Sequence, residues 1–283
     1  MAELFLAFSN AKDLLPRAKS IDFKLFPDGE SYVRIPVKVS GRDVLLAERC
    51  WPEQDAALIR LLLALSQLKA MGARRIRCLV PYLPYARQDK RFLEGEALSA
   101  QTICRLLRLA GCSELVTFDC HFLKKEGTFA FAGLRIRNIS LAKPLLALLR
   151  RKAGRPVVIS PDVGASYMVE EEKEKSVMEK VRGGYTKGRL AYRRIARMEA
   201  KSDVRGRDVI LIDDMVSTGS TMVKAVRALR KAGAGRVLCA ASHGLFLGGS
   251  LRRLRAAGAA EVVVSDSIPG PAARLRLREV WSP

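Results

Sequence analysis

Apolar and polar positions along this chain fall into one repeated order: a helix-like stretch, a stop built on glycine, then a short β-branched run. It reads Leu68-Lys-Ala-Met-Gly-Ala-Arg-Arg-Ile-Arg-Cys-Leu-Val80, then Leu106-Leu-Arg-Leu-Ala-Gly-Cys-Ser-Glu-Leu-Val-Thr-Phe118. The order returns in Leu229-Arg-Lys-Ala-Gly-Ala-Gly-Arg-Val-Leu-Cys239 and in Leu254-Arg-Ala-Ala-Gly-Ala-Ala-Glu-Val-Val-Val264. Glycine suits the left-handed residue that closes a helix, and a short continuous apolar run suits a strand of a parallel sheet covered on both faces. Further strands are predicted at Leu4–Phe8, Val44–Glu48, Val157–Ser160 and Val209–Ile212, with a helix over Ala142–Lys152. Two repeats lie in each half at irregular intervals, which predicts a duplicated α/β domain and not a solenoid. Residues 1–140 are expected to form the first domain and 141–283 the second, the boundary lying near Asn138–Leu141. The stretch Glu170–Arg205 is the least regular. It opens on the charge run Glu170-Glu-Glu-Lys-Glu-Lys175, by itself a solvated helix face, and the stretch is expected to contain a mobile loop.

Composition narrows the class. Hydrophobic content of 49% and charged content of 28% fit a soluble globular chain with a substantial core, and no apolar run is long enough to span a bilayer. The N-terminal segment reads as a first strand and not as a signal peptide, and the six cysteines lack a Cys-x-x-Cys pair. Both features predict a cytoplasmic protein with reduced thiols. The formal charge of +21 raises the question of nucleic acid. However, the basic residues are dispersed, with pairs such as Arg74-Arg75 and Arg252-Arg253 expected on helix ends or solvent faces. Aromatics at 6% do not interleave with them as a stacking platform requires. Polyanionic small substrates are the better match, with no specific nucleic acid and no membrane partner.

The richest segment is Val209-Ile-Leu-Ile-Asp-Asp-Met-Val-Ser-Thr-Gly-Ser-Thr221. A buried strand is expected to end at paired carboxylates, Asp213 and Asp214. The turn Ser217, Thr218, Gly219, Ser220 and Thr221 then leads into a helix, a phosphate cradle at the carboxyl edge of a parallel sheet. Carboxylates there would repel the anion unless they face a sugar diol or a cation. A capped, ordinary strand–loop–helix unit is the plainer reading, but a cap needs one carboxylate and not two followed by hydroxyl residues.

Other strand ends carry similar chemistry. Phe26-Pro-Asp-Gly-Glu30 reads as a tight turn between two β-like runs. Pro81-Tyr-Leu-Pro-Tyr-Ala-Arg-Gln-Asp-Lys-Arg91 presents three cations after a buried strand, either a phosphate-contacting loop or a solvated charge cluster. His121 follows a strand in Phe118-Asp-Cys-His121, and Asp162 lies in Ser160-Pro-Asp-Val-Gly-Ala165 ahead of a glycine turn. Asp162 suits Mg²⁺, which takes few protein ligands and keeps waters and phosphate oxygens.

Together these segments resemble ribose-phosphate diphosphokinases, also called phosphoribosyl pyrophosphate (PRPP) synthetases, from about Phe5 to Ile268. The short length and Ser217 are more similar to archaeal members. The 213–221 motif resembles a PRPP loop shared with phosphoribosyltransferases. The combination with Phe26–Glu30, Tyr85-Ala-Arg-Gln-Asp89, Asp119-Cys-His121 and Ser160-Pro-Asp162 singles out the synthetase, and Ser242-His243-Gly244 resembles the family's Thr-His-Pro. The resemblance implies two phosphoribosyltransferase-like domains, each a mostly parallel sheet flanked by helices. It implies transfer of the diphosphoryl group of ATP to the 1-hydroxyl of ribose 5-phosphate, with Mg²⁺ held by His121 and Asp162.

ATP would then lie on Arg87, Gln88, Asp89 and Lys90, with Phe26, Asp28, Gly29 and Glu30 reaching it from a neighbouring subunit of a dimer or larger homo-oligomer. Ribose 5-phosphate would lie on Asp213, Asp214 and the 217–221 turn, with Arg189. The family's catalytic Lys-x-Arg falls on Lys187 and Arg189 by ungapped counting, although Lys180-Val-Arg182 competes and the surrounding sequence departs from the family pattern. A nucleobase phosphoribosyltransferase and a non-catalytic regulatory subunit are the alternatives. The two domain copies and the Arg-Gln-Asp loop speak against the first, and loss of active-site residues would mark the second.

Overall fold

The computed structural model describes residues 3–185, 193–199 and 203–283. The chain divides into two compact units, one of Met1–Ile139 with Leu277–Pro283 and one of Ser140–Arg276. The tail from Leu277 thus belongs with the first unit, whereas division in chain order leaves it in the second.

The first unit runs β1 (Leu4–Ala7), β2 (Lys19–Ser20), β3 (Asp22–Leu25), β4 (Ser31–Arg34), β5 (Asp43–Ala47), α1 (Gln54–Ala70), β6 (Arg75–Leu79), α2 (Ser99–Ala110), β7 (Glu114–Phe118), β8 (Gly127–Phe131) and β9 (Leu134–Ile139). Its main sheet has the order β2-β1-β5-β6-β7-β9-β8 and is parallel except for β8, while β3 and β4 form a separate hairpin. The second unit runs α3 (Ala142–Arg150), β10 (Val157–Ser160), β11 (Lys175–Val177), β12 (Glu179–Tyr185), β13 (Arg193–Glu199), β14 (Val209–Val216), α4 (Ser220–Lys231), β15 (Val237–Gly244), α5 (Ser250–Ala256), β16 (Ala259–Ser265) and β17 (Ala273–Leu275). Its sheet, in the order β11-β10-β14-β15-β16-β17, is parallel throughout, and β12 pairs antiparallel with β13. A last short helix, α6 (Leu277–Val280), returns to the first unit.

The repeated sequence unit becomes helix, stop and strand at every copy. Gly72, Gly111, Gly233 and Gly258 all have positive φ, between 79° and 118°, just after α1, α2, α4 and α5. Strand residues such as Leu45, Leu46, Leu115, Leu211 and Cys239 are fully buried, as strands covered on both faces require. The charge run after Glu170 is not a helix. It forms a turn leading into β11, and its carboxylates Glu171, Glu172 and Glu174 pair with Lys143, Arg150 and Arg207. All six cysteines are buried and free, and among the described residues no helix is long and apolar enough to cross a membrane.

One buried carboxylate marks the carboxyl edge of the first sheet. Glu48 Oε1 accepts from Asn10 Nδ2 at 3.0 Å and from Arg60 Nη2 at 3.1 Å, while Oε2 has no partner among the described residues. Burial lifts this carboxyl to about 7, against the pull of Arg60 and Asn10. The folded protein therefore holds the proton more tightly than the unfolded chain. The resulting stabilisation is full below pH 4.5 and is lost as pH rises through 7. Glu48→Gln is expected to abolish that slope. Urea unfolding at pH 4.5 and pH 8 should show wild type losing up to about 3 kcal/mol relative to the variant.

Candidate active site

The second unit concentrates its chemistry where β10 and β14 end. β14 does not stop at Ile212 but continues to Val216, because β15 runs alongside it as far as Gly244. Asp213 pairs with Ala241 and Val216 with Gly244, so both carboxylates lie within the strand. The side chain of Asp214 is buried, and Asp213 Oδ1 accepts from Asp214 N at 2.9 Å. Burial drives the Asp213 carboxyl well above the usual carboxylate range, and the charges of Asp214 and Asp162 push it the same way. Asp162, beyond the end of β10, caps the short 3₁₀ helix Val163–Val169, its Oδ1 accepting from Gly164 N at 2.7 Å. One oxygen of Asp162 is thus used as a cap.

Like charges crowded at one sheet edge are relieved by a cation. Among the described residues no three His, Cys, Asp or Glu side chains form a complete metal cage.

The turn after β14 is held from behind. Val216 O accepts from Phe246 N at 3.0 Å and Ser217 O from Leu247 N at 3.1 Å. Ser250 Oγ donates to Ser217 O at 3.1 Å, and Arg253 Nη2 to Thr218 O at 2.8 Å. Gly219 O accepts from Val223 N at 2.8 Å, the first bond of α4. Gly219 caps α4 at φ 71°, and a Cβ on it would lie 2.8 Å from Ser250 Cβ, so only glycine fits both the dihedral and the approach. Helix α4 then opens with Ser220 and Thr221 in its first turn, where a helix N-terminus favours an anion.

In the first unit, Phe26–Glu30 is the exposed tip of the β3–β4 hairpin, closed by Phe26 N donating to Glu30 O at 2.8 Å. Gly29 has φ 91°, and Asp28 Oδ1 accepts from Glu30 N at 3.1 Å. Phe26 stands edge-on to Tyr32 at 5.9 Å, with the Lys24 ammonium near both rings. The Arg87 loop starts from buried Tyr82 and Leu83 and turns at Tyr85, φ 62°, whose hydroxyl donates to Asp55 Oδ1 at 2.5 Å. Gln88 Oε1 accepts from Ser99 Oγ at 3.1 Å and Gln88 O from Ala100 N at 3.2 Å, which fastens the loop to the start of α2. Arg87 and Lys90 are exposed and Asp89 is half-buried. Among the described residues no hydrogen bond or ion pair joins the hairpin tip to the Arg87 loop. His121 is half-buried just past β7, after a strained, fully buried Asp119 at φ 34°.

Lys187 and Arg189 lie outside the described residues. Arg252-Arg253 does lie exposed on α5, as expected, but the brace that Ser250 and Arg253 give the turn carries no local motif beyond Gly248-Gly249-Ser250 ahead of a helix, which repeats the small-residue turn of Thr218-Gly219-Ser220.

Residues 6–111 match the N-terminal domain of ribose phosphate pyrophosphokinase, and residues 126–264 match the phosphoribosyl transferase domain. The chain is 35% identical over 268 residues to a ribose-phosphate pyrophosphokinase of Sulfurisphaera tokodaii, covering 92% of this chain and 88% of that protein. A namesake from Methanobrevibacter smithii is 33% identical, covering 96% and 93%. The crystal structure of phosphoribosylpyrophosphate synthetase from Mycobacterium smegmatis superposes with a TM-score of 0.82 at 26% identity, over 99% of this chain and 96% of that one. With both halves matched in order, the chain belongs to the ribose-phosphate pyrophosphokinase family.

Proposed function

We propose that the protein makes PRPP, moving the β,γ-diphosphoryl group of ATP onto the 1-hydroxyl of ribose 5-phosphate and releasing AMP. The observation that carries this reading is the braced turn Ser217–Thr221 beside Asp213 and Asp214, in a chain matching ribose-phosphate pyrophosphokinases over nine-tenths of its length. The turn and the start of α4 take the 5-phosphate, and the Asp213 and Asp214 carboxylates accept from the ribose hydroxyls or face their metal. ATP phosphates lie on Arg87, Gln88, Asp89 and Lys90. Phe26, Asp28, Gly29 and Glu30 are held out on a hairpin tip that suits stacking on, and bonding to, the adenine of a neighbouring subunit's ATP. That arrangement makes the working form a homo-oligomer.

Mg²⁺, when bound, offsets the charge of the phosphate oxygens. Asp162 and His121 are its proposed protein ligands. Such transfers demand alignment and charge neutralisation more than covalent chemistry from the protein. Lys187 and Arg189 are proposed to stabilise charge on the transferring group, Arg189 also to bind ribose 5-phosphate.

Incubation with ATP, Mg²⁺ and ribose 5-phosphate should yield AMP and PRPP in equal amounts. AMP without PRPP indicates hydrolysis alone, and absence of both products overturns the assignment in favour of a regulatory or base-transferring protein. Lys187→Ala is expected to lower kcat by about 100-fold or more, with far-UV circular dichroism unchanged. Near-normal turnover would move the catalytic role to Lys180 and Arg182. Phe26→Ala should raise KM for ATP by about tenfold, the loss of one aromatic–base stack, while KM for ribose 5-phosphate stays put.

A further inference from the structure

We infer that Arg253 is a positioning residue for ribose 5-phosphate, acting through the 217–221 turn from outside it; the inference rests on reading that turn as the 5-phosphate site. The peptide unit is planar and trans, so the carbonyl oxygen of one residue and the N–H of the next point in opposite directions. Whatever grips the oxygen therefore aims the N–H. Phe246 N on Val216 O aims the Ser217 N–H, and Leu247 N with Ser250 Oγ on Ser217 O aims the Thr218 N–H. Arg253 Nη2 on Thr218 O, at 2.8 Å, aims the N–H of Gly219, the residue that caps α4.

Arg253 differs from the other braces in two ways. It carries a full charge, and a cation on the oxygen end of a peptide polarises the N–H at the other end, strengthening its bond to an anion. It also bridges two turns, because Nη1 of the same guanidinium donates to Gly248 O. Gly248 and Gly249, at φ 55° and 72°, double the chain back so that α5 brings Arg253 up behind the phosphate turn. A planar fork with donors on separate nitrogens can hold both carbonyls at once, which the single ammonium of lysine does less well. The guanidinium itself is bound to the backs of the turns, so it acts on the phosphate through the backbone.

Steady-state kinetics at saturating ATP test this. Arg253→Ala is expected to raise KM for ribose 5-phosphate about tenfold, with kcat and KM for ATP within about twofold and the thermal midpoint nearly unchanged. Arg253→Lys, which retains the charge and one bond, should recover part of the loss. An unchanged KM for ribose 5-phosphate overturns the inference. So does a lower kcat and thermal midpoint together with a rise in both KM values, which marks a merely structural role. Thr221→Val separates the two levels. If it raises KM for ribose 5-phosphate while Arg253→Ala does not, only the role of Arg253 fails. If neither variant moves that KM, the reading of the turn as the 5-phosphate site fails as well.

Discussion

The pairing of Val209–Val216 with Val237–Gly244 is the constraint on which the second unit's chemistry depends. Parallel pairing carried to Val216 keeps both aspartates in extended backbone at the sheet edge. It also delivers Ser217 at the point where the partner strand has ended. The segment after β15 is then free to turn across, and Phe246 and Leu247 take up the carbonyls of Val216 and Ser217. A one-residue slip in this register would turn the β14 side chains, Asp213 among them, to the other face and misplace the turn.

Electrostatics around that ladder oppose one another over a few residues. Asp213 experiences burial and two neighbouring carboxylates, all disfavouring its charge. Immediately beyond, carbonyls from Val216 to Gly219 are each engaged by a donor, turning their negative ends away from the space in front of α4. The sheet edge thus places a region that calls for a cation beside one that calls for an anion. The proposed phosphorylated sugar, carried with a hydrated Mg²⁺, would meet both demands.

The first unit solves a different problem with the same sheet plan. Its cations are set on a loop whose backbone is fastened to α2 through Gln88, Ser99 and Ala100, so exposed Arg87 and Lys90 stand on a fixed base. Its aromatic tip is stiff because the Phe26–Glu30 closure, the Asp28 bond and the Tyr32 contact restrain one short turn. A rigid exposed aromatic loses little conformational freedom when it meets a partner surface.

What the sequence by itself determined is local. Glycine stops followed by β-branched runs predict helix ends and buried strands, and every such unit is present. The Asp-Gly turn, the Arg-Gln-Asp loop and the Asp-Asp strand with its glycine turn identify the family, because each carries its chemistry within a few consecutive residues. Tertiary structure decided what depends on partners far along the chain. It set the true end of β14, governed by β15 some thirty residues on, and so placed Asp213 and Asp214 within the strand. It converted the Glu170 charge run from a solvated helix into a turn whose carboxylates meet basic residues distant in sequence. It returned Leu277–Pro283 to the first unit. It also gave Arg253 a role no periodicity reveals, since its hydrogen bond to the carbonyl of Thr218, thirty-five residues away, exists only once two glycine turns have been brought together.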